Sequence, residues 1–194
     1  MSDETQATPP NQRLARLITR QAQKRHLASL WAEVAGLAQG MVVLDIGAGS
    51  GALTLEYAPI IGPAGQLIAL EPDRECLDYI RTEAARRGIA LHVLQGTAEA
   101  LPSLPAPPDR VMLTDALHHI NQPIVALRAI HAAMAPHGIL FIAEYDPAGP
   151  GVVGAKLSRR TYPNDLAGML IAAGFKISAS ANAPDEHYTM IATP

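Results

Sequence analysis

Along residues 41–145, apolar positions switch repeatedly between two rhythms. Short, nearly continuous apolar runs at Met41–Ile46, Gln66–Glu71, Ala90–Gln95, Arg110–Thr114 and Ile139–Glu144 predict buried strands. Between them, apolar residues recur at three- and four-residue steps, the spacing of one helix face. The spacing predicts a helix from Ser50 to Ile60. A second is opened by Asp73 as a cap and closed by Gly88, and a third covers Asn121–Ala135. Glycine and proline mark the turns, as at Gly62, Pro63 and Gly65.

Strand–helix alternation at this spacing predicts an α/β fold, doubly wound, with a mostly parallel sheet. The tail departs from it. After a helix at Pro163–Ala173 come Phe175–Ala181 and His187–Thr193, joined by Asn182-Ala-Pro-Asp-Glu. That pattern predicts an antiparallel hairpin at the sheet edge. Upstream, Leu14, Leu17, Ile18, Leu27, Leu30, Trp31, Val34 and Leu37 predict helix over residues 13–38. Its first half carries Arg13, Arg16, Arg20, Lys24 and Arg25 without an acid. Such a run suits a solvated basic face or a lid over an anionic ligand. Residues 1–12 are polar and expected to be disordered. The remainder, 13–194, is expected to form one domain, with 13–38 as its helical lid.

Composition narrows the function. The 194 residues carry a net charge of −3, which argues against a nucleic-acid partner. The single cysteine, Cys76, excludes an internal disulfide framework and a multi-thiolate metal site. No apolar run approaches the ~20 residues of a membrane span, and no signal peptide is legible, so a cytoplasmic location is expected.

The chemistry gathers where the first strand ends, at Asp45-Ile-Gly-Ala-Gly-Ser-Gly51. Glycines at alternate positions leave backbone N–H groups open to a ligand, at the carboxyl edge where parallel sheets bind. The helix N-terminus beyond them favours an anionic group. Glu71, ending the second strand, suits a pair of ribose hydroxyls. Gly47-x-Gly49-x-x-Ala52 also satisfies a loose dinucleotide pattern. Asp45 argues against that reading, because its carboxylate would repel a pyrophosphate and attract an ammonium. A cofactor with adenine, ribose, ammonium and carboxylate is S-adenosylmethionine.

The stretch Val43–Gly51 resembles the nucleotide-binding motif of class I S-adenosylmethionine-dependent methyltransferases. Four more stretches resemble that family in order. They are Gly96-Thr-Ala-Glu-Ala-Leu-Pro102, Thr114-Asp-Ala-Leu-His-His-Ile120, Met134-Ala-Pro-His-Gly-Ile-Leu140, and the closing helix with its hairpin. The resemblance covers about residues 40–194 and is nearest to the small ubiquinone/menaquinone-biosynthesis-like (methyltransferase type 11) group. It implies a seven-stranded Rossmann-like sheet of order 3-2-1-4-5-7-6 with strand 7 antiparallel. It also implies S-adenosylmethionine as cofactor, S-adenosylhomocysteine as product, a small-molecule acceptor, and leaves a homodimer open.

By the same resemblance, Asp45 and the backbone of Gly47, Ala48, Gly49 and Gly51 would hold the methionine part. Glu71 would hold the ribose. Pro72, Asp73, Thr97 and Ala98 would line the adenine, Thr97 replacing the usual aspartate. Asp115 would stand beside the methyl group, or else cap the next turn. His118 and His119 are candidate general bases, or else anchor their loop. Glu99 reads as a turn cap. Residues 145–162, with Lys156, Arg159 and Arg160, would close over the acceptor together with Arg13–Arg25, their cations holding a carboxylate or phenolate. Two other classes stay open: a dinucleotide-dependent oxidoreductase and a non-catalytic nucleotide-binding relative.

Overall fold

A computed structural model describes residues 12–194. The expected disordered N-terminus therefore lies, but for Gln12, outside the described residues. The elements run α1 (Gln12–Ala22), α2 (Leu27–Val34), β1 (Val42–Ile46), α3 (Thr54–Ile61), β2 (Gln66–Glu71), α4 (Arg74–Arg87), β3 (His92–Gln95), β4 (Arg110–Thr114), α5 (Pro123–Ala133), β5 (Ile139–Tyr145), α6 (Pro163–Ala172), β6 (Lys176–Ala183) and β7 (His187–Thr193). Short 3-10 turns sit at Leu117–His119 and Leu157–Arg159.

The seven strands form one sheet of order 3-2-1-4-5-7-6, as the resemblance implies. Strands 1 to 5 pair in parallel, and β7 runs antiparallel between β5 and β6. Alternation along the strands divides the core. Leu44, Ile46, Val111, Leu113, Leu140 and Ile142 pack with α5 and α6, while Val43, Leu67, Met112 and Phe141 pack with α2 and α3. On β5 this period places Glu144 on the α5 side and Tyr145 on the α2 side. Among the described residues no helix is long and apolar enough to cross a membrane.

The expected helix over 13–38 is two helices. Residues 23–26 form a tight turn, with Lys24 N–H donating to Gln21 O and Leu27 N–H to Lys24 O. Leu27 and Trp31 of α2 are buried against the sheet, whereas α1 crosses its carboxyl edge, so the chain must bend between them. The apolar spacing runs on through the bend and does not reveal it. Leu30 and Val34, expected on the buried stripe, are more than a third exposed. The helix expected from Ser50, α3, begins at Thr54 instead, and Gly51 at φ +73° belongs to the turn before it. Asp73 and Gly88 cap α4 as expected: the Asp73 side chain accepts from Glu75 N–H, and Gly88 is left-handed.

Candidate active site

Three glycines after β1, Gly47, Gly49 and Gly51, have φ of +73°, +58° and +73°, a region costly for other residues. A Cβ on Gly47 would come within 2.7 Å of Ala116. The turn is held from the side by Glu71, whose carboxylate accepts from Gly49 N–H at 2.9 Å and Asp73 N–H at 3.1 Å. Burial pushes the Glu71 carboxyl up, and those two donors oppose the rise.

Asp45 lies beneath the turn, buried, and accepts from the Thr54 hydroxyl. Among the described residues no cation shifts it. Burial pushes its pKa up to about 7, against the pull of Thr54, and Glu71 adds to the rise. Asp45, Gly47, Ala48 and Asp115 line one void of about 20 Å³ together with Gln21, Lys24, Ala52, Leu53 and Thr114. The sequence reading thus joins the ends of β1 and β4 correctly. It places Lys24 only in the basic lid and does not name Gln21, yet both line this void.

Asp115 has φ +52°, a strained value for an aspartate, which turns its side chain into the site. It does not cap the next turn. It forms an ion pair with Lys24, accepts from His187 Nε2 at 2.8 Å, and lies 3.4 Å from the Tyr145 hydroxyl. Burial raises the Asp115 carboxyl, but His187 and Lys24 outweigh it and hold the pKa below the ordinary value. The other ring nitrogen of His187 faces Pro184 O at 3.0 Å. Both neighbours of the ring are acceptors, so both bonds form only with a proton on each nitrogen.

The two candidate histidines separate. His118 Nδ1 lies 2.7 Å from the Glu144 carboxylate, whose other oxygen accepts from Leu117 N–H at 2.7 Å. Glu144 is fully buried. The carboxylate fixes a proton on Nδ1 and leaves the Nε2 lone pair free. Among the described residues Nε2 has no partner. It is also not one of the buried unpaired side-chain atoms, which are Trp31 Nε1 and Tyr57 Oη. His119 packs against His118 with ring centres 4.2 Å apart and planes tilted by 43°, and it is exposed. Burial of part of its ring, His118 when protonated, and the charges of Arg159 and Arg20 lower its pKa to about 4.

On the other flank of Glu71, Pro72 and Thr97 are exposed and Ala98 is buried. Asp73 also pairs with Arg13 at 3.3 Å. Glu99 accepts from Asn121 N–H at 3.1 Å, so it caps the turn ahead of α5.

Arg160, expected to face an acceptor, does not. Its side chain is fully buried and binds Glu186 at 2.7 Å and the carbonyls of Ala155, Asp146 and Val153. Glu186 in turn accepts from Gly151, Val152 and Val153 N–H. Arg160 is the pin of the 146–162 loop. Arg159 is exposed and donates to His118 O at 3.3 Å, so it alone of the pair stays beside the site.

Comparison with known proteins gives the following. Residues 43–138 match the family described as "Methyltransferase domain". The chain is 31% identical over 115 residues to the ubiquinone/menaquinone biosynthesis C-methyltransferase UbiE of Shewanella oneidensis, covering 58% of this chain and 46% of that one. It therefore spans about half the length of such relatives. A SAM-dependent methyltransferase from Aquifex aeolicus superposes with a TM-score of 0.83 at 18% identity, covering 96% of this chain and 98% of that one. The glycopeptide N-methyltransferase MtfA, complexed with sinefungin, gives 0.70 at 14% identity, covering 88% and 86%. The [4+2]-cyclase SpnF gives 0.72 at 25% identity, covering 84% and 60%.

Proposed function

Because the chain belongs to the class I S-adenosylmethionine-dependent methyltransferases, we propose that it moves a methyl group from S-adenosylmethionine to a small-molecule acceptor by in-line displacement. One observation carries the reading. Two buried carboxylates, Asp45 and Glu71, flank a turn of positive-φ glycines, and among the described residues Asp45 has no cation of its own. That arrangement suits a ligand with an ammonium at one end and ribose hydroxyls at the other, and it repels a pyrophosphate.

In this reading Asp45 takes the ammonium, and the N–H groups of the turn, Gly47 to Gly51, take the carboxylate. Glu71 takes the ribose. Its two oxygens each already accept one backbone N–H and keep a second lone pair for a hydroxyl. Pro72, Asp73, Thr97 and Ala98 flank the adenine. When bound, the cofactor supplies a sulfonium methyl and a neutral thioether leaving group. Asp115 stands at the end of β4, where a carboxylate steadies positive charge.

The chain's own contribution is alignment, water exclusion and proton handling. His118 is the general base. Its Nε2 lone pair takes the acceptor's proton, and the buried Glu144 carboxylate stabilises the imidazolium that results. His119, with its lowered basicity, is the poorer base and packs on His118. Of the lid expected over residues 13–38, α1 is the covering part on a single domain, and α2 is packed into the core. The net charge of −3 favours a small acceptor over nucleic acid, and the single buried cysteine suits the cytoplasm.

Calorimetric titration with S-adenosylmethionine, S-adenosylhomocysteine and NAD tests the cofactor half. NAD binding tighter than S-adenosylhomocysteine overturns it. A relative named as a cyclase shares this fold, so binding alone is insufficient. Transfer of an isotopically labelled methyl to members of a small-molecule acceptor panel tests the chemistry.

A further inference from the structure

The void between the glycine turn and Asp115 measures about 20 Å³, room for a single water. Sites for drug-sized ligands run to ~300–1,000 Å³. What narrows it is the end of α1. Gln21 Oε1 accepts from Ser50 N–H at 2.7 Å and from the Ser50 hydroxyl at 2.7 Å. The Gln21 amide lies so flat on the turn that a Cβ on Gly49 would come within 2.3 Å of its Nε2. Three residues on, the Lys24 ammonium pairs with Asp115 and sits 4.9 Å from the Tyr145 ring centre.

These contacts reproduce the two ends of an amino acid. A side-chain oxygen takes the turn's N–H, as a ligand carboxylate would. The Lys24 ammonium, paired with Asp115, sits in the void that Asp45 also lines, where the ligand's ammonium would go. We propose that Gln21 and Lys24 are specificity-determining residues for the cofactor's amino-acid end. They occupy that end of the site themselves and yield only to a ligand that replaces both contacts. The inference rests on the cofactor reading above and adds the competitor.

Among the described residues the remaining ties of this segment include exposed pairs and one apolar anchor, so displacement is feasible. Arg13–Asp73 is an exposed pair, and His26–Asp185 at 2.9 Å is also exposed. Leu14 is the one buried anchor of α1. The turn at residues 23–26 is the hinge, since α2 beyond it is fixed by Leu27 and Trp31. Adenosine, which lacks the amino-acid end, has no need to move the segment.

The test is calorimetry with S-adenosylhomocysteine and with adenosine on the parent, Gln21→Ala and Lys24→Met. Each variant is expected to bind S-adenosylhomocysteine about five- to tenfold tighter, because a competitor worth one or two hydrogen bonds is gone. Adenosine should bind all three proteins equally. Weakened binding of S-adenosylhomocysteine by either variant would make these residues ordinary ligand contacts and overturn the proposal, and so would unchanged affinity. Gln21→Ala removes no buried charge, so it keeps the test open should Lys24→Met melt early. Failure of S-adenosylhomocysteine to bind the parent and both variants would instead overturn the cofactor reading itself.

Discussion

Asp45 makes the cofactor reading testable by pH alone. In the free protein its carboxyl has a pKa of about 7, raised chiefly by burial. An ammonium beside it selects the carboxylate, so each bound ligand displaces whatever proton Asp45 holds. Taking a bound-state value well below the range studied, the ionised fraction rises from about 3% at pH 5.5 to about 75% at pH 7.5, and affinity should rise about 25-fold. The slope should approach tenfold per pH unit on the acid side and flatten above pH 8. Titrations with S-adenosylhomocysteine across this range measure it, and buffers of different ionisation enthalpy count the proton released. Asp45→Asn should remove most of the slope; what remains belongs to Glu71, whose carboxyl is also raised. The same shift sets the sign for the ligand-free fold. Stability from protonated Asp45 is full below the unfolded value of about 3.9 and is lost as pH rises through about 7. Affinity that stays flat or falls between pH 5.5 and 7.5 would refute the pairing of Asp45 with a cation.

Glu144→Gln should turn His118 into the wrong tautomer. Leu117 N–H claims the amide oxygen, the amide NH2 then faces Nδ1, and the ring proton moves to Nε2. Long-range ¹H–¹⁵N spectra should show that switch, and turnover of an acceptor needing deprotonation should fall at least 100-fold with S-adenosylhomocysteine affinity retained; an unchanged tautomer would count against the dyad. Gly49→Val should abolish S-adenosylhomocysteine binding in calorimetry, since a β-branched residue at φ +58° is strained and fills the approach. Arg160→Ala should lower the melting temperature by roughly 5 °C, because three carbonyls lose their donor. It should leave S-adenosylhomocysteine affinity unchanged, as expected of a loop pin.

What the sequence determined by itself is what depends on neighbours in the chain. Alternating apolar rhythms specify strand or helix because each element must bury one face, and the strand–helix order then selects a parallel sheet. The glycine turn, Asp45 and Glu71 were legible for the same reason: a strand's end and the turn after it are local. Asp115 and the histidine pair were legible as candidates, but their roles were not. Only the fold decided that His118 meets Glu144, 26 residues away, and that Asp115 meets Lys24 and His187, 91 and 72 residues away. The two histidine meetings arise because β4, β5 and β7 are neighbours in the sheet although β6 intervenes in the chain, and Lys24 arrives through the turn after α1. Gln21, Lys24 and Arg160 carry no local signature at all. A cation in a basic run reads the same whether it faces water, an acceptor or a buried glutamate. Burial and the bend at residues 23–26 separate these fates, and both are properties of packing across the sheet's edge.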